Sequence, residues 1–159
     1  MRKIPTPSGR YPFQLYFEDL GEIDEICLEA LKTQSLLPSN PAPIRIERFV
    51  EKQFKTALIY EDLGPGNLGC TVFNSSGTVE AIVVSRFLEE QNTIPARRRA
   101  RSTVAHEAGH GLLHGTLFME GDCPDPSISL LLCAGRSWRT TAARLPSRLR
   151  QFSTPARPR

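Results

Sequence analysis

All three histidines of this 159-residue chain fall in one nonapeptide, His106-Glu107-Ala108-Gly109-His110-Gly111-Leu112-Leu113-His114. That clustering constrains the fold more than any other feature. At about 3.6 residues per turn, His106 and His110 stand about 40° apart around a helix axis and one turn apart along it. A helix therefore brings both imidazoles to one point, where Zn2+ sits at about 2.0–2.1 Å from each nitrogen. Glu107 takes the neighbouring angular position, where its carboxylate can meet a water on the ion without displacing it. Metal-assisted peptide hydrolysis needs this pattern. The ion lowers the water's pKa towards about 7 and polarises the scissile carbonyl, while the glutamate removes the proton and passes it to the leaving amine. Chance expects roughly 0.004 such His-Glu-x-x-His matches at this length and composition.

His114 follows His110 by a further turn and stands about 80° and 12 Å from His106 on a straight helix. Two readings stay open for it. It is a packing or supporting histidine, or a ligand recruited by a helix break at Gly111. The metal-binding segment reads as one helix over 97–118. Gly109, Gly111 and Gly115 each cost such a helix roughly 1 kcal/mol. They imply close packing against its face, or fraying near Gly115.

Upstream, residues 1–16 are Pro-rich and read as irregular. Leu20, Ile23, Cys27, Ala30 and Leu31 recur at helical spacing, and Pro38, Pro41 and Pro43 stop that helix. Ile46, Phe49 and Val50 share a face of a second helix over 44–54. Three short strands follow at 56–60, 70–73 and 79–84, joined by a turn at Gly64-Pro65-Gly66-Asn67 and a hairpin signal at Asn74-Ser75-Ser76-Gly77. Strands this closely joined are expected to be antiparallel, because a parallel pair needs a longer crossover. Residues 88–95 read as a loop. The fold class is thus α+β: N-terminal helices, a small three-stranded antiparallel sheet and a metal-binding helix. Residues 17–125 form the domain, and 126–159 a poorly ordered basic tail.

The segment from Arg97-Arg98-Arg99-Ala100-Arg101 through Ala105-His106-Glu107-Ala108-Gly109-His110-Gly111-Leu112-Leu113-His114 resembles the signature of the ImmA/IrrE family of zinc metallopeptidases. An arginine-rich approach to an AHExGHxLLH helix characterises that family. The likeness covers roughly 43–118 and is strongest over 97–114. It implies a gluzincin-like intracellular hydrolase with His106 and His110 as metal ligands, Glu107 as general base, and zinc or manganese as the metal. The implied substrate is a protein, of the type of a DNA-binding helix-turn-helix repressor. It would lie as an added strand on a sheet edge, for which 79–84 is the candidate. The family's third ligand, a glutamate on a following helix, has no counterpart after Glu120. Glu120, Asp122 and Asp125, with Cys123 among them, are the carboxylates left to supply it; otherwise it is missing. Catalytic zinc sites normally supply three protein groups.

Charge divides the chain. Through Asp125 there are 17 acidic and 13 basic residues, net −4; beyond it there are seven arginines and no acid, net +7. A tail of Arg, Ala, Pro, Ser and Thr resembles a translated out-of-frame segment of a GC-rich gene, so a frame shift within 119–135 is one expectation. Reading the other two frames for a Glu-x-x-Ala helix checks it. A basic tail contacting phosphates is the rival, and would give steeply salt-dependent binding. Direct nucleic-acid contact is not the expected role. The Arg97–Arg101 run opposes the helix macrodipole, which points to a structural or substrate-contacting task. The four cysteines, Cys27, Cys70, Cys123 and Cys133, form no CxxC pair and read as reduced thiols, Cys27 and Cys70 in the core. No apolar stretch reaches membrane-spanning length and none follows the first residues as in a secretory signal, so a cytoplasmic location is expected. Two functions follow: a zinc endopeptidase, or an inactive remnant or regulatory binding module without the third ligand.

Overall fold

The computed structural model describes residues 2–5, 13–74, 76–118 and 131–133. Its elements run β1 (Arg2–Pro5), β2 (Phe13–Tyr16), α1 (Leu20–Thr33), α2 (Ile46–Phe54), β3 (Leu58–Glu61), β4 (Gly69–Phe73), β5 (Val79–Ser85), α3 (Arg86–Glu90), α4 (Ile94–Leu113), a 3₁₀ turn (Gly115–Leu117) and β6 (Leu131–Cys133). This is a mixed α+β fold.

Helix α1 begins where Asp19 accepts a hydrogen bond from the Glu22 backbone N–H at 3.0 Å. It ends with Ser35 in the left-handed region, φ 55°. Bonds from Ser35 N–H to the Lys32 carbonyl (2.8 Å) and from Leu36 N–H to the Leu31 carbonyl (2.9 Å) satisfy the last turn. The N-terminal segment is not irregular as expected. β1 and β2 pair antiparallel from Arg2↔Tyr16 to Pro5↔Phe13, and the Arg2 guanidinium stacks 5.3 Å over the Tyr16 ring.

The main sheet has the order β3-β5-β4-β6, which corrects the all-antiparallel expectation. β4 pairs antiparallel with β5, Cys70 opposite Val83 and Thr71 opposite Ile82. β3 instead pairs parallel with β5, Leu58 opposite Ile82 and Tyr60 opposite Val84. The crossover rule holds between β3 and β5, and the whole of 62–78, with β4 inside it, forms the crossover. β5 is consequently an inner strand, not the free edge expected at 79–84. Three residues of the expected tail, β6, pair antiparallel with β4; the rest of the tail lies outside the described residues.

β5 is buried on both faces, which explains its apolar run Ala81–Val84. Phe73, Val79, Ile82 and Val84 face the helices and pack with Phe49 and Val50 of α2, Leu88 of α3, Val104 and Ala108 of α4, and Phe118. Cys70, Val72, Ala81 and Val83 form the opposite face, against Ile59 and Leu63. The stretch expected as a loop at 88–95 contains most of the single-turn helix α3 and the first residues of α4. Thr93 caps α4 by accepting from the Ala96 N–H at 3.3 Å, and Pro95 sits in the first turn, where its missing N–H costs nothing.

The close packing read from the glycines holds at two of three. A Cβ on Gly111 would stand 2.7 Å from Phe54 Cζ, and one on Gly115 would meet the Gly77 carbonyl oxygen, whereas Gly109 faces open space. Helix α4 stops at Leu113, and the 3₁₀ turn starts at Gly115. Among the described residues, no helix is long and apolar enough to cross a membrane.

Candidate metal centre

Helix α4 lies across β4 and β5, with Thr103, Val104, Glu107 and Ala108 buried. The arginine run in its first half is partly tied down. Arg97 Nη2 donates to Asn92 Oδ1 at 2.7 Å, and Arg101 Nη2 donates to the Ile44 carbonyl at 2.8 Å. These bonds to the loop before α4 and the entry to α2 give two of the arginines a structural task. They offset an unfavourable position near the positive helix end.

His106 is exposed and His110 half-buried. Their Nε2 atoms face each other at 3.0 Å, with ring centroids 4.6 Å apart and planes at 89°. Two nitrogens bound to a tetrahedral zinc stand about 3.3–3.4 Å apart, given bonds of about 2.0–2.1 Å. The pair therefore needs to open only slightly to share an ion through its outward nitrogens. Behind it, His110 Nδ1 lies 3.2 Å from His114 Nδ1. His114 thus faces the back of the His110 ring, away from the point where the two Nε2 atoms converge. Helix α4 also continues past Gly111 to Leu113, without the break that a ligating His114 required. The supporting reading of His114 is the one the geometry favours.

Burial and the neighbouring His114 and His106 push the His110 pKa down to about 4. The ring is neutral above that pH and keeps a lone pair for a metal. Burial also lowers His114, against a raising contribution from the His110 backbone carbonyl, with His106 lowering it further.

Glu107 points the other way, into the sheet, and is fully buried. The Thr71 hydroxyl of β4 lies 2.9 Å from Glu107 Oε2 and 2.8 Å from the Glu107 carbonyl oxygen, sharing one hydrogen between them. Gly69, two residues earlier on the same face of β4, leaves room for the side chain. A Cβ there would stand 2.9 Å from Glu107 Cγ and 2.6 Å from Thr103 Cγ2. Sequence reasoning missed Thr71 and Gly69. Thr71 is 36 residues from Glu107, beyond any local periodicity, but a glycine inside a strand does signal close approach of another element.

The His106–His110 pair would supply two of the usual three protein ligands of a zinc ion. Among the described residues no group of three or more His, Cys, Asp or Glu side chains is placed to hold an ion. Glu120, Asp122, Cys123 and Asp125 lie outside the described residues. Cys70 is buried in the far face of the sheet, as expected for a core residue, and Cys27 is half-buried on α1. Comparison with protein-family models, with curated proteins and with solved structures finds no match to this chain.

Proposed function

We infer that the chain is a zinc-dependent endopeptidase of the ImmA/IrrE type, acting on a protein substrate such as a helix-turn-helix repressor. The observation that carries this reading is the convergence of His106 Nε2 and His110 Nε2 at 3.0 Å on the HExxH helix. A zinc ion held there would supply Lewis-acid polarisation of the scissile carbonyl and activation of water. His106 and His110 would bind it through Nε2. On this reading Glu107, buried against Thr71 and turned away from the histidine pair in this structure, would have to swing towards the ion to act as the proton carrier between water and leaving nitrogen. Thr71 fixes that carboxyl through Oε2, and the burial of Glu107 keeps it from bulk solvent.

A second reading draws on that same burial. A carboxyl closed off against Thr71 suits a regulatory binding module that keeps the fold and the motif without turnover. Zinc stoichiometry and affinity of the purified chain separate the two. The peptidase reading expects one zinc per chain, with affinity falling on the order of a hundredfold in His110→Ala. That follows from about 10–16 kcal/mol of apparent binding energy shared among roughly four ligands. Weak zinc binding, equal in wild type and variant, supports the binding module and overturns the peptidase.

A further inference from the structure

Helix α1 buries none of its residues completely. Together with Gln53 of α2 and Leu112 of α4 it lines a groove of about 700 Å³. Ile26, Leu28, Ala30 and Leu112 give that groove apolar walls, and Leu28 is 43% exposed. Glu25 and Glu29 stand one turn apart along it, and like charges so placed repel. Neither forms an ion pair with another described residue. The helix carries four acidic residues, Glu22, Asp24, Glu25 and Glu29, against one cation, Lys32. An occupant suited to this groove brings apolar side chains together with positive charge.

The chain itself contains such a segment. Leu145, Leu149 and Phe152 recur at steps of four and three residues, the spacing of one helix face. Arg144 and Arg148 recur at a step of four, the step between Glu25 and Glu29. Pro146 is compatible with the first turn of a helix. No acid stands after Asp125 to be repelled by α1. The described chain ends in β6, which lies beside α4. From there the ten residues 134–143 span up to about 33–36 Å when extended. That compares with a radius of gyration of about 13 Å for a domain of about 100 residues. A short flexible tether holds its segment at an effective concentration of about millimolar. A groove with few apolar contacts is therefore filled by an attached segment, where a free one would need a far higher affinity.

We propose that residues 144–152 dock in the groove along α1, with Leu145, Leu149 and Phe152 against its apolar walls and Arg144 and Arg148 against Glu25 and Glu29. This interaction surface is independent of the metal-centre reading. A tail read out of frame has no reason to match the groove, so the same experiment also tests that expectation.

The test replaces Phe152 of the full chain by the photo-cross-linking analogue p-benzoylphenylalanine, irradiates a dilute solution and maps the products by mass spectrometry. Cross-links should form within one chain, to residues 25–33 or to Leu112. Glu25→Lys with Glu29→Lys should lower their yield about tenfold, as two exposed ion pairs turn to repulsion. Salt at 1 M, where the screening length is about 3 Å, should also lower it. Adding Arg144→Glu and Arg148→Glu to the lysine variant should restore the yield, with thermal melts to confirm that each variant is folded. Cross-links scattered over the surface, a yield unchanged by the lysine substitutions, or no recovery in the four-site variant would overturn the proposal. A cross-linked dimer mapped to the groove would overturn it too, by placing the segment of a second copy there.

Discussion

On the peptidase reading, Glu107→Gln should leave zinc binding within a few-fold and lower peptide hydrolysis by at least about 10²–10⁴-fold, the usual contribution of a positioned acid–base group. The substitution suits this site because the amide has nearly the shape of the carboxyl. Thr71 Oγ1, 2.9 Å from Glu107 Oε2, can still donate to an amide oxygen there, so the niche under β4 survives and the variant removes only the proton transfer that the peptidase reading assigns to this residue. Hydrolysis of an unstructured protein substrate at saturating zinc reads the effect, with thermal melts alongside. Residual activity near the wild-type level would show that another group carries the proton. Loss of zinc together with activity would show that Glu107 supports the ion.

Gly69→Ala and Gly109→Ala should change stability in opposite directions: one glycine lies beneath the glutamate-bearing helix and the other within it. At Gly69 a methyl group would press into Thr103 Cγ2 at 2.6 Å and Glu107 Cγ at 2.9 Å. Both neighbours belong to residues buried between α4 and the sheet. Relief requires the helix to lift from β4, at a cost of about 1–3 kcal/mol, typical of overpacking. Gly109 faces open space, so alanine there gains helix propensity and stabilises by up to about 1 kcal/mol. Urea unfolding of the two variants measures both signs. A neutral Gly69→Ala would mean that α4 and β4 are not in the close contact described. Because the lifted helix also carries His106 and His110, Gly69→Ala should weaken zinc binding where Gly109→Ala does not.

The longer helices were legible because their apolar residues repeat locally, whereas the short α3 was read largely as loop. Phe49 and Val50 of α2, three and four residues after Ile46, are buried, as are Val104 and Ala108 of α4, one turn apart. The strands were legible as segments but not as neighbours. Which edge of β5 receives β3 depends on the tertiary path of 62–78, and no short-range pattern encodes that. One readable sign of it was passed over: Val79 through Val84 is apolar on nearly every residue, the mark of a strand buried on both faces. Pro95 was taken as the close of a loop, although proline is also favoured in the first turn of a helix. In the site, the approach of His106 to His110 followed from helix geometry alone. The surroundings of Glu107 did not, since they come from a strand distant in sequence whose register sets Thr71 and Gly69 beneath it.

The meeting of Gly115 with the Gly77 carbonyl bears on how this chain can vary. Hairpin turns on a protein surface ordinarily absorb insertions and deletions at little cost. The turn at 74–78 is held by Asn74, whose Oδ1 accepts from Ser76 N–H at 3.1 Å and from Thr78 N–H at 2.9 Å. Its Gly77 abuts the residue just after the end of α4, and the flanking Phe73 packs its ring 4.5 Å from that of Phe118. A longer turn would have to displace the segment that carries His114. Variation in length is therefore tolerated less here than at an ordinary hairpin, and the turn works as a fixed stop for helix α4.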